Sequence, residues 1–110
     1  MSLVDLNSLK ELELAPGIRA RVVNTGNVSV AHVTLDEGAL LPLHSHHNEQ
    51  LVNVIEGVLE LVVNGETLVV KPGHALLLPP MVPHSGRALK ACYVVDIFHP
   101  VREDFVCAMK

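Results

Sequence analysis

The chain has 110 residues, 49% hydrophobic and 18% charged, a composition that excludes a disordered segment and a length that suits one domain. A formal charge of −4, without any basic cluster, argues against nucleic acid as a partner. No apolar run approaches the ~20 residues of a membrane-spanning helix, and Asp5, Glu11 and Glu13 replace a basic-then-apolar export signal, so no membrane partner is expected and the expected compartment is the cytoplasm.

In chain order, residues 1–16 read as an arm that packs on the body of the domain or on a second subunit. Leu3, Leu6, Leu9 and Leu12 recur at three, as on a helical turn, whereas Leu12-Glu13-Leu14 alternates like a strand. Residues 17–105 read as the body of a single domain spanning 1–110. Pro16-Gly17 punctuates the chain, and residues 18–24 predict a strand with Arg19 and Arg21 on one face. Thr25-Gly26-Asn27 turns into a strand over 28–35, and Asp36-Glu37-Gly38 turns into another over 39–46. The apolar run 51–55 predicts a strand ending at Glu56-Gly57, with a further strand over 58–63. Asn64-Gly65 then predicts a type I′ hairpin, because both residues tolerate positive φ. Lys71-Pro72-Gly73 turns the chain again, residues 75–78 form a short strand, His84 opens another after Pro83, and 91–98 is the last before Pro100. About eight strands at short, regular spacing and no helix predict an all-β sandwich or barrel. With 3% aromatics, the core is mainly valine and leucine. Residues 58–63 are apolar on both faces, and only one face can point inward. A partner subunit or the N-terminal arm is the expected cover for the other, a homodimer being the economical case. Cys92 and Cys107 read as ordinary thiols.

The stretch 38–57, GALLPLHSHHNEQLVNVIEG, concentrates side chains able to hold a metal. In an extended strand His44 and His46 point the same way, and two such imidazoles can grip one ion. Asn48 and Gln50 then share their side, while His47 and Glu49 face oppositely. His47 is expected at the rim, His74 in solvent, and His32 as a hydrogen-bonded structural residue. Glu49 replaces Gln50 as ligand only if a bulge shifts the register. Further on, Asp96 interrupts an apolar strand, where an unpaired buried carboxylate would cost several kcal/mol. It must face solvent, a partner or a polar cavity. Val94, Asp96 and Phe98 share a face by alternation, and Arg102 can fold back over the same mouth. An Asp96–Arg102 ion pair at the rim is the structural alternative to a functional role.

Gly38, His44, His46, Gln50 and Gly57 lie at spacings that resemble the first cupin motif, with Gln50 where the family usually has Glu. Gly73, Pro79 and His84 resemble the second motif, with Met81 where the family often has Gly and Ala88 where it often has Asn. The resemblance implies the cupin double-stranded β-helix, a jelly-roll barrel. It also implies one divalent transition metal ion (Zn, Ni, Fe, Mn or Cu) on His44, His46, Gln50 and His84. A neutral Gln50 leaves the ion's full charge on the site, which favours an anionic ligand.

The segment DIFHPVRED (residues 96–104), together with HSHHNEQ and PPMVPHS, is similar to the KdgF-type small cupins of pectin and alginate degradation. That family linearises 4,5-unsaturated uronates, an isomerase- or lyase-like reaction on a small anionic sugar-like substrate. The similarity implies activity roles for Asp96, Phe98 and Arg102. Asp96 would move a proton, Arg102 would clamp the carboxylate, and Phe98 would pack on the sugar. A metal-dependent cupin dioxygenase acting on another small acid and a non-catalytic sugar-acid-binding cupin are the competing readings.

Overall fold

The computed structural model describes residues 1–110. A 3₁₀ turn at Leu6–Ser8, capped by the Asp5 side chain, leads into β1 (Leu12–Ala15), β2 (Ile18–Asn24) and β3 (Ser29–Leu35). Then come β4 (Leu40–His44), β5 (Glu49–Val63), β6 (Glu66–Val70), β7 (Ala75–Leu78), β8 (His84–His99) and a short helix, α1 (Glu103–Ala108). Strands dominate because Val- and Leu-rich runs are cut by Gly, Pro and Asn at the turns. The hairpin between β5 and β6 has the expected form, with Asn64 at φ 49° and Gly65 at φ 83°.

Two differences from the sequence expectation shape the architecture. The predicted strands at 51–55 and 58–63 are one strand, β5, and β8 likewise runs unbroken from His84. These two pair antiparallel along their whole length, from Glu49↔His99 to Val63↔His84. The pairing slips by bulges between Val54 and Leu59, and these absorb Glu56-Gly57 without ending the strand. At the bend the two strands pass from one sheet to the other. One sheet holds β1, β2, β3 and β7 with the 92–99 half of β8, and the second holds β4 and β6 with its 84–90 half. The hydrogen-bonded path begins at β1 and ends at β6, so the jelly roll is two sheets sharing two long strands rather than a closed ring.

The second difference is α1, where no helix was expected. Glu103 and Asp104 occupy its first turn, where acids suit the helix dipole, and Phe105 is buried beneath it. The core between the sheets is aliphatic, with Val22, Val33, Val52, Leu61, Leu78 and Val94 each under 5% exposed. Alternation along β2 and β3 places Arg19 and Arg21 outside. There they meet Glu11 of the N-terminal segment, and Arg19 also meets Asp36 at 3.0 Å. The N-terminal segment is thus tied to the outer face by ion pairs, and β1 joins the sheet edge beside β2. Both cysteines are free, Cys92 buried and Cys107 exposed.

Gly57 has φ +89°, and a Cβ there would fall on the Ala91 carbonyl oxygen and 2.8 Å from Cys92 Cα. Gly65 shares the positive φ but has open space around it. Gly57→Ala should therefore cost roughly 3 kcal/mol or more, adding backbone displacement to the conformational penalty, against about 1 kcal/mol for Gly65→Ala. Urea denaturation of the two variants measures the difference; equal midpoints would contradict the role given to Gly57.

Candidate metal centre

Three imidazoles reach one point from two segments that the β4–β8 pairing holds together. His44 ends β4, His46 lies in the following loop, and His84 opens β8 opposite His44. His44 and His46 therefore do not converge by strand alternation, as the sequence suggested, since the strand stops between them. Backbone hydrogen bonds converge them instead. The loop of His46 is fastened when its carbonyl accepts from the Met81 N–H at 2.8 Å. Met81 has φ +66°, a conformation that favours glycine, which accounts for the glycine often found there in the family it resembles.

Each ring is aimed by the same device. His44 Nδ1–H donates to the Pro42 carbonyl (2.8 Å), His46 Nδ1–H to Asn48 O (3.0 Å), and His84 Nδ1–H to Val82 O (2.9 Å). A carbonyl can only accept, so the proton is on Nδ1 and Nε2 keeps its lone pair. One ligand nitrogen from each ring lies within 4.8 Å of the others. His84 is 2% exposed, and its Nε2 is buried without a hydrogen-bond partner, an arrangement that costs roughly 1–3 kcal/mol if nothing occupies the lone pair. Burial holds both His46 and His84 below the usual imidazole range, seconded by the charge of Arg102 at His46 and by the neighbouring histidines at His84, which keeps them neutral and able to coordinate.

Gln50 places a fourth candidate donor beside the three rings. It is 6% exposed, and its Oε1 sits 3.1 Å from His46 Nε2. Two lone pairs that close repel unless a cation lies between them or the amide turns over. The Asp96 carboxyl, which lines the same cavity, favours the first arrangement by attracting the –NH2 end. Three neutral imidazoles and an amide oxygen fit a divalent transition metal, and this donor set does not by itself choose among them. Glu49 is exposed on the opposite face, and His47 is exposed at the rim. His74 is exposed and accepts from Lys71 N–H, whereas His32 pairs with Tyr93 Oη at 2.9 Å outside the site.

Asp96 projects from β8 into an interior cavity of about 60 Å³ that Gln50 and His84 also line. Its Oδ1 is buried without a partner. Burial pushes its carboxyl up to about 7, against the smaller pull of Gln50 and then Arg102. Phe98, on the same face, meets the His46 ring edge-on at 5.6 Å. The Asp96–Arg102 pair considered from the sequence does not form. Arg102 meets Asp104 instead, at 2.6 Å, because Asp104 in the first turn of α1 reaches the guanidinium while Asp96 stays inside. Between His44 and Arg102 lies an open cleft of about 280 Å³.

The sequence reading passed over the residues that hold this arrangement. Asn48 is 2% exposed and donates to the Pro100 carbonyl at 2.6 Å, joining the histidine loop to the end of β8. Ser29 is fully buried and accepts from the Arg102 backbone N–H at 2.9 Å. Asn48 was legible as sharing the side of Gln50, but its distant partner was not.

The family model of the cupin domain matches residues 31–98. This chain is a cupin. It is 28% identical over 97 residues to the pectin degradation protein KdgF of Dickeya dadantii, covering 86% of this chain and 88% of that one. The solved structure of KdgF from a Halomonas species is likewise 28% identical, with a TM-score of 0.86 over 94% of this cupin and 97% of that chain. An RmlC-like cupin from Shewanella frigidimarina superposes with a TM-score of 0.87 at 24% identity over 96% of each chain, a likeness of fold. The three clustered histidines, His44, His46 and His84, lie in the two segments that resemble the cupin motifs.

The purified cupin should carry about one divalent ion per chain, and His44→Ala should reduce this to below about a tenth. His44 is only half-buried, so the variant should still fold. A chelator should lower the melting temperature of the wild type by roughly 10 °C and leave His44→Ala unmoved, because stabilisation by a bound ion disappears with its site. Elemental analysis and calorimetry check both; unchanged metal content in the variant would refute the ligand assignment.

Proposed function

We propose that this cupin opens the ring of 4,5-unsaturated uronates released by lyase cleavage of pectin or alginate. The observation that carries this reading is a three-imidazole cluster set between an interior cavity that holds a buried carboxyl and an open cleft that holds an arginine. Its similarity to two KdgF proteins over at least 86% of its length supports the substrate class. On this reading His44, His46, Gln50 and His84 hold one divalent transition metal ion. When bound, that ion would supply Lewis acidity, polarising whichever substrate oxygen it meets.

The remaining chemistry belongs to the chain's own side chains. Arg102 binds the substrate carboxylate through its planar fork, and Phe98 packs beside the ring. Ring opening is an isomerisation. The anomeric hydroxyl loses its proton, the bond from the anomeric carbon to the ring oxygen breaks to leave an aldehyde there, and the enolate released becomes a ketone when its neighbouring carbon takes up that one proton. No electron is gained or lost. Asp96 is suited to move that proton because its Oδ1 is free of other partners and faces the cavity. The aliphatic wall around it excludes bulk water.

A cytoplasmic homodimer is part of the proposal. Val23, Val30, Ile97, Leu51 and Leu77 align in register across five strands on the outer face, and Leu77 is 58% exposed. Such a flat apolar row suits a second copy of itself. Leu77→Lys should shift sedimentation from dimer toward monomer, and a wild type that sediments as a monomer would remove this part.

Asp96→Ala should reduce ring opening by roughly 10²–10⁴-fold with metal content unchanged. The decay of the unsaturated uronate's ultraviolet absorbance reports turnover, and elemental analysis reports the ion. Wild-type rates in the variant would exclude Asp96 as the proton carrier.

A further inference from the structure

Arg102 is anchored more firmly than a surface arginine. Its backbone N–H donates to Ser29 Oγ, and Ser29 Oγ donates to Asn24 Oδ1 at 2.6 Å. Its guanidinium lies 4.1 Å from the Phe105 ring centre and 4.9 Å from that of Phe98, within the range where a ring face attracts a cation. Asp104 then meets the fork with both oxygens, Nε to Oδ1 at 3.1 Å and Nη2 to Oδ2 at 2.6 Å. That bidentate geometry is how an arginine receives a ligand's carboxylate. The pair lies on the wall of the cleft that His44 also lines. The Arg102 side chain is 18% exposed and that of Asp104 62%, so the cation is fixed and its partner can swing into solvent.

We propose that Asp104 is a built-in competitor for the ligand's carboxylate, and hence a residue that determines specificity. The inference rests on the reading that Arg102 receives the carboxylate of an acidic sugar. An acid with only a carboxylate to offer exchanges one ion pair for another and gains little. A ligand that also reaches the histidine cluster across the cleft gains further contacts and displaces Asp104. A neutral sugar cannot take its place, because that would leave a largely buried guanidinium unpaired.

The plain alternative is that Asp104 only stabilises the start of α1, where it occupies the first turn. Asp104→Asn separates the two, since it keeps the shape and a capping oxygen while removing the charge. The probe is D-galacturonate, which lacks the double bond needed for turnover, titrated into the protein as purified. The Arg102 Nε–H resonance is followed by NMR, with galactose as the neutral control. Galacturonate should bind about three- to tenfold tighter to the variant, with galactose unaffected. Equal affinity in the two proteins, an equal gain for galactose, or an Arg102 resonance that responds in neither would overturn the inference. Turnover of the unsaturated uronate, measured alongside, judges the ring-opening proposal separately. Turnover with unchanged galacturonate affinity removes only the inference; tighter binding without any turnover removes only the ring-opening reading.

Discussion

Three hydrogen bonds from imidazole Nδ1–H groups to backbone carbonyls set the character of this cupin's centre. Pro42, Asn48 and Val82 each supply a carbonyl two residues from the histidine it orients. The bonds are local, yet their effect is to choose a tautomer for every ring and turn all three lone pairs toward one place. Without them the rings would be free to rotate, and proximity alone would not make a ligand set. Gln50 completes the arrangement from a neighbouring strand, its oxygen turned toward His46 and its –NH2 toward Asp96.

The frame that carries these groups is the continuous pairing of β5 with β8. Gln50 sits near the start of β5, Asp96 and Phe98 near the end of β8, and His84 at the start of β8. Because both strands bend through the same bulged region, the start and the end of β8 lie on the two facing sheets. That brings His84 and Asp96, twelve positions apart in the sequence, to one cavity. Gly57 permits the bend by allowing the two backbones to approach closely, so a position far from the chemistry governs the shape of the site.

At the rim, a second group of contacts ties the tail of the chain to the centre. Asn48 holds the carbonyl of Pro100, Ser29 holds the N–H of Arg102, and Phe98 and Phe105 flank its guanidinium. The result is a fixed cation beside neutral imidazoles, and its field contributes to keeping His46 and His84 unprotonated. An anion that displaces Asp104 meets a guanidinium already fixed in place, so the cation itself need not be ordered on binding.

Local chemistry was legible in the chain itself. Strand number followed from turn residues between valine-rich runs, the hairpin from Asn64-Gly65, and the four metal-ligand candidates and the acid-phenylalanine-arginine set from spacing and family likeness. Alternation placed Gln50 inside and Glu49 outside, because a period of two is a property of the extended backbone itself. What depends on contacts distant in sequence was decided by the tertiary structure. Glu56-Gly57 read as a stop became a bulge, because β8 continues the pairing on its far side. His44 and His46 meet through loop hydrogen bonds rather than strand parity, and Arg102 takes Asp104 rather than Asp96, because a helix turn brings one carboxylate within reach while the other is committed to the interior. Sequence determines which groups are present and their local periodicity; only the folded chain determines which partner each polar group finds once water is removed.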